Sequence, residues 1–300
     1  MAVVRWEAGR HSALVCPRVV AGARPFDEAE VEGGGSTSIY ARACGPASGP
    51  GVVLLHGVAQ TSDCWLEVMQ GALGGEMRLV APDLRGHGRS AKPAGAYDDP
   101  ALWARDLAAV IDAFALERPV VVAWSYAGLV LCDYVRVHGD ERLGGCAFLA
   151  AVSRMNDRTA EPTVGKAMLR AGRALLSPDP AERAAGTLQF ARDLRATPPA
   201  PAHVASAVAQ AETVPLGVRR SLLTRRAAND DVLPSIRRPT LVAHGTADPL
   251  VLLSMSEHNA ALIPTARLSV YEGAGHSVFA ERPDDFQRDL RALVAEAQQG

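Results

Sequence analysis

The sequence predicts an α/β protein: a mostly parallel central sheet flanked by helices and interrupted by one helical insertion. Three observations predict it. Short β-branched runs alternate with longer stretches of helical periodicity, and the central runs are apolar throughout, as strands buried on both faces must be. Between residues 153 and 238 the strand pattern stops and Ala, Arg and Leu recur at helical spacing, broken by SPDP, TPPAP and VPLG. With 300 residues, 48% of them hydrophobic, the chain can bury a sizeable core, which excludes disordered and fibrous classes.

The elements follow in chain order. Residues 1–30 show no core pattern and read as an N-terminal extension; residues 31–152 and 239–300 form the core, and 153–238 the insertion. Ser38 to Arg42 is expected to add an antiparallel strand at the sheet edge. Core strands are expected at Val52 to Leu55, Arg78 to Ala81, Val120 to Ala123, Cys146 to Leu149, Thr240 to Ala243 and Arg267 to Val270. Helices are expected at Trp65 to Leu73, Pro100 to Phe114, Tyr126 to Val137, Ser254 to Leu262 and Pro283 to Ala297, where apolar residues fall three and four apart. Pro100 and Pro283 sit where a first helical turn tolerates proline.

Charge and cysteine usage narrow the class further. A net charge of -2 gives no long-range attraction to nucleic acid or to an anionic membrane. No apolar run approaches the roughly 20 residues that span a bilayer. Arg5, Glu7, Arg10 and His11 break every candidate signal-peptide core. Cys16, Cys44, Cys64, Cys132 and Cys146 are odd in number and lack metal-ligand spacing, which fits reduced thiols and a cytoplasmic location. No zinc spacing and no phosphate-binding glycine loop occurs, so no metal and no cofactor is implied. The insertion carries 14 Lys/Arg against 8 Asp/Glu, a basic surface that either attracts an anionic substrate or is simply solvated.

Chemistry concentrates at the carboxyl ends of predicted strands. In PVVVAWSYAGLVLCDYV an apolar strand runs straight into a helix with Ser125 at the junction. Such a turn presents the hydroxyl above the sheet and needs small residues two before and two after, here Ala123 and Ala127, with Gly128 displaced by one place from the usual Gly-X-Ser-X-Gly. A serine capping a helix after a buried strand is the competing reading. In VVLLHGVAQ, His56 and Gly57 end a strand and open a loop able to supply an oxyanion donor, so the amides of Val58 and Tyr126 are nominated. The His56 side chain reads as a loop brace.

LVAHGTADPLV places Asp248 just beyond a strand, where a carboxylate can orient an imidazole; a turn aspartate before Pro249 is the alternative. VYEGAGHSVFAERPDDF brings His276 through a glycine-rich loop, and an imidazole titrating near 6.5 can take and return a serine proton. Serine, then aspartate, then histidine, each after a predicted strand, is an order that open α/β sheets use. Trp124 and Trp65 flank these segments and either line an apolar pocket or pack in the core.

As a set, LLHG at 54–57, APDLRGHGRS at 81–90, AWSYAG at 123–128, HGTADPLV at 244–251 and GAGHSVFAERPDDF at 273–286 resemble the α/β-hydrolase superfamily. The likeness is greatest to capped esterases and to cofactor-free haloperoxidase-like and proline-iminopeptidase-like members, over residues 31–298. The resemblance implies the α/β-hydrolase fold, a catalytic Ser125, Asp248 and His276, oxyanion donors at Val58 and Tyr126, and a cap over the site. It gives Asp83, Arg85, His87 and Arg89 a structural role beside the oxyanion loop.

The expected activity is hydrolysis of a small-molecule ester, lactone or thioester through an acyl-serine. The alternatives are a cofactor-free perhydrolase or carbon-carbon bond hydrolase, and a ligand-binding protein that keeps the scaffold but turns over slowly or not at all.

Overall fold

A computed structural model describes residues 5–6, 24–157 and 163–299 of the chain. Most of the expected N-terminal extension, Cys16 included, lies outside the described residues. The strands are β1 Arg5–Trp6, β2 Asp27–Glu32, β3 Ser38–Cys44, β4 Gly51–Leu55, β5 Arg78–Pro82, β6 Val120–Trp124, β7 Gly145–Leu149, β8 Arg154–Met155, β9 Ala227–Ala228, β10 Thr240–Gly245 and β11 Ala266–Tyr271. The helices are α1 Leu66–Gln70, α2 Leu73–Glu76, α3 Pro100–Ala113, α4 Ala127–His138, α5 Lys166–Leu175, α6 Pro180–Asp193, α7 Pro201–Glu212, α8 Leu216–Thr224, α9 Leu253–Leu262, α10 Val278–Glu281 and α11 Pro283–Gln299.

The main sheet runs β1-β2-β3-β5-β4-β6-β7-β10-β11, eight strands plus the two-residue β1 at its margin. From β5 to β11 every pairing is parallel, while β2, β3 and β5 pair antiparallel. Strands β6, β7 and β10 are buried at every residue, because helices cover both faces of the parallel part and leave no room for a polar side. The chain leaves β4 toward β5 on one side, then returns through α3 to β6 on the other. The carboxyl ends of β4 and β6 therefore lie side by side where the strand order reverses, the place where open sheets leave a crevice.

Four differences from the expected elements have local causes. Ser38–Cys44 is antiparallel but not the edge, since β2 pairs outside it. In DEAEVE only Ala29 and Val31 face inward, too little apolar text to register as a strand. The expected helix over Trp65 to Leu73 is split into a 3-10 turn at Ser62–Trp65, α1 and α2, with Gly71, extended at the end of α1, standing at the break between the two helices. Strand structure does not cease at residue 153: β8 and β9 pair antiparallel at the base of the insertion.

The insertion itself, α5 to α8, is helical. Its base is tied to the core by Arg225, whose guanidinium donates to both carboxylate oxygens of Asp133 on α4 at 2.8 Å with both side chains buried. Asn156 adds hydrogen bonds to the carbonyls of Leu223 and Arg225 at 3.0 and 2.8 Å.

Candidate active site

Ser125 stands at the end of β6 with φ +58°, a left-handed conformation that costs a side-chain-bearing residue on the order of 1–3 kcal/mol. The surroundings hold it there. Its amide donates to Leu149 O at 3.0 Å, and its carbonyl accepts from Gly128 N at 3.1 Å and Val152 N at 3.0 Å. Ala123 and Ala127 are fully buried, and a Cβ on Gly128 would stand 2.4 Å from Val152 O. The close approach at this elbow thus falls at 128, which is why glycine stands there rather than at 127. Ser125 itself remains partly exposed, flanked by buried residues on both sides.

The loop after β4 passes directly beside it. A Cβ on Gly57 would lie 3.0 Å from Ser125 Cβ and 3.4 Å from its Oγ. The next residue, Val58, is buried, as is Tyr126 at the first turn of α4. Neither backbone amide is given to another acceptor among the described residues. A developing oxyanion requires two such uncommitted N-H donors.

His56 and His87 brace this loop from below. His56 Nε2 accepts from Leu84 N at 2.9 Å, and His87 Nε2 accepts from Ala59 N at 3.2 Å. The rings meet edge on at 4.9 Å. Burial pushes His56 down to about 4 and His87 to about 3, the latter helped by its neighbour, so both are neutral braces. Asp83 completes the support, accepting from Ser62 N at 2.7 Å and Arg89 N at 2.8 Å. Arg85 is buried in a bidentate pair with Asp106 at 2.6 and 2.7 Å. These groups hold loops and do not face Ser125.

The loops after β10 and β11 bring Asp248 and His276 together. His276 Nδ1 lies 2.7 Å from Asp248 Oδ2, with side chains only 3% and 1% exposed. The other oxygen, Oδ1, accepts from Leu250 N at 2.8 Å and Val251 N at 3.1 Å, which sets the carboxylate's orientation. His244, buried at the end of β10, has Nε2 at 3.4 Å from the same Oδ2 and 3.1 Å from Val251 O. Sequence reading passed over His244, because a histidine in a buried strand carries no mark of its partner.

No hydrogen bond joins the Ser125 hydroxyl to the His276 ring among the described residues; Trp124 links the two segments. Its indole N-H donates to His276 O at 3.0 Å and the rings are 5.4 Å apart. Trp124 and Trp65, nominated as pocket walls, are both buried and pack with Phe279 in an aromatic cluster behind the His276 loop.

The insertion reaches all three loops. Thr61 N donates to Gln210 Oε1 at 3.0 Å near the oxyanion loop, Gly165 N to Leu250 O at 2.8 Å beside Asp248, and Ser277 N to Leu194 O at 2.9 Å beside His276. Among the described residues no cluster of three or more His, Cys, Asp or Glu is placed to hold a metal. No helix among them is long and apolar enough to cross a membrane. The described cysteines, Cys44, Cys64, Cys132 and Cys146, are free thiols.

Comparison with known proteins agrees with this fold. The solved structure of an esterase from Rhodococcus sp. ECU1013 superposes with a TM-score of 0.84 at 35% identity, covering 90% of this chain and 98% of that one. A non-heme chloroperoxidase of Streptomyces lividans is 27% identical over 271 residues, which is 86% of this chain and 96% of the relative. A pimeloyl-[acyl-carrier protein] methyl ester esterase of Aromatoleum aromaticum is 31% identical over 252 residues, covering 79% of this chain and 94% of the relative. The pattern of the alpha/beta hydrolase family matches residues 52–288, and the chain belongs to that family.

Proposed function

We propose that this protein is a serine hydrolase that cleaves a small-molecule ester, lactone or thioester through an acyl-Ser125 intermediate. The carrying observation is the buried His276–Asp248 contact at 2.7 Å, held against the residue that precedes a serine at φ +58°. With its Nδ1-H given to Asp248, a neutral His276 presents a lone pair at Nε2. In this reading the Ser125 hydroxyl donates to that lone pair. His276 then takes the serine proton as Oγ attacks the acyl carbon, and Asp248 stabilises the imidazolium. The amides of Val58 and Tyr126 receive the oxyanion, worth roughly 3–4 kcal/mol for one strong donor. His276 returns the proton to the leaving alcohol or thiol, and water releases the acid by the same steps in reverse.

The relatives named as esterases support this reaction, and the contacts from all three site loops to residues 163–210 support a cap that encloses the substrate. A second reading is favoured by the relatives named non-heme chloroperoxidase. Hydrogen peroxide would replace water in the last step, so that the acyl group leaves as a peracid and Ser125 regains its proton. Both readings need the same acyl-serine, and added peroxide with a short-chain ester distinguishes them by the product.

Ser125→Ala should lower ester turnover at least about 10⁴-fold while leaving the fold intact, because the residues act as a unit. Stoichiometric labelling of wild type by a fluorophosphonate, absent in Ser125→Ala, completes the test. Turnover unchanged in pure Ser125→Ala would reject the assignment. Failure of wild type to label, with tight binding of a ligand, would favour a binding protein on the same scaffold.

A further inference from the structure

The backbone on either side of His276 is held from three directions. Gly275 N donates to Glu281 Oε1 at 2.9 Å, His276 O accepts from Trp124 Nε1 at 3.0 Å, and Ser277 N donates to Leu194 O at 2.9 Å. Two of these three holds lead to the insertion. Leu194 belongs to it directly, and the other oxygen of Glu281 receives Ala196 N at 2.9 Å, Thr197 N at 3.3 Å and Thr197 Oγ1 at 3.4 Å. One carboxylate thus clasps the turn between α6 and α7 on one side and the histidine loop on the other.

Gly275 gives independent support. A Cβ there would stand 2.4 Å from Ala196 N, 2.9 Å from Arg195 C and 2.8 Å from Glu281 Oε1. The insertion's turn is therefore seated on the residue before His276 so closely that a methyl group does not fit. Hydrogen bonds to an ionised acceptor are worth more than neutral ones, and a carboxylate with four donors has few alternative orientations.

The geometry points to Glu281 as a positioning residue for His276: it locks the histidine loop to the α6–α7 turn, so that the imidazole keeps its place only while that part of the cap is docked. This rests on the serine-hydrolase reading and deepens it. The cap does not swing open at this corner without disturbing the proton shuttle, so substrate enters elsewhere along its rim.

The test compares Glu281→Ala and Glu281→Gln with wild type, using a short-chain ester and active-site titration with a fluorophosphonate. The glutamine is isosteric but has one acceptor oxygen, so it retains one side of the clasp and guards against a variant that fails to fold. Loss of positioning lowers kcat per titrated site by about tenfold in Glu281→Ala, less in Glu281→Gln, with KM changed less than about threefold. The rate constant of Ser125 labelling falls in parallel, since it depends on the same imidazole. A purely structural role would reduce the number of titratable sites or the Tm and leave kcat per site within twofold of wild type; that result overturns the inference and leaves the hydrolase reading standing. A wild type that neither labels nor loses turnover in Ser125→Ala overturns both.

Discussion

Gly57→Ala probes the contact on which the oxyanion assignment depends. The φ of Gly57 lies outside the left-handed region, so alanine meets no backbone penalty there. Its new Cβ meets Ser125 Cβ at 3.0 Å, Ser125 Oγ at 3.4 Å and Trp124 Cε3 at 3.6 Å. Carbon atoms in ordinary contact sit about 3.5–4.0 Å apart, so loop and elbow must separate by roughly half an ångström or more. The elbow is anchored through Leu149, Gly128 and Val152, whereas the loop is braced mainly by side chains, so the loop carrying Val58 yields. A misplacement of about 1 Å costs on the order of 10² in rate, and complete loss of one oxyanion donor about 10²–10³. The expected outcome is kcat lowered about 10- to 100-fold on an activated ester. Thermal unfolding followed by circular dichroism should change little, since no apolar surface or hydrogen bond is removed. A variant with kcat within twofold of wild type would refute the claim that this loop supplies a donor.

Two further predictions concern the support beneath the site. Unfolded imidazoles take a proton near 6.5, whereas folded His56 holds out to about 4 and His87 to about 3, so the unfolded state binds more protons in between. Their contribution to stability is complete above about pH 6.5 and is lost as pH falls toward these values; the ring resonances of both should show no titration above pH 5 by NMR, and a midpoint near 6.5 would refute the neutral-brace reading. Arg225→Met leaves Asp133 buried without its partner and should cost about 3–5 kcal/mol in urea unfolding, with most of the loss recovered by adding Asp133→Leu. A loss under about 1 kcal/mol would show the pair to be dispensable.

Much of the fold was legible because its signals are local. Strands buried on both faces must be apolar along their whole length, so Val120 to Ala123 and Thr240 to Ala243 announced themselves without reference to the rest of the chain. The segments bearing Ser125, Asp248 and His276 were legible for a related reason: each follows such a strand, and the carboxyl end of a parallel strand is where loops converge. Strand β2 was not legible, since its inward face amounts to Ala29 and Val31 amid acidic residues, and only its antiparallel pairing with β3 makes that sufficient.

By itself the sequence determined the layered architecture and the helical insertion, which follow from periodicity and composition over short windows, and its motifs set the order of the candidate site residues. Only the tertiary structure decided that Gly57 lies against Ser125, that His244 stands behind Asp248, that Arg225 is buried on Asp133, and that Glu281 spans from Gly275 to Ala196. Each of those contacts joins residues whose neighbours in sequence say nothing of the partner. A hydrogen bond or a van der Waals limit acts over a few ångströms of space, and the chain must fold before those distances exist.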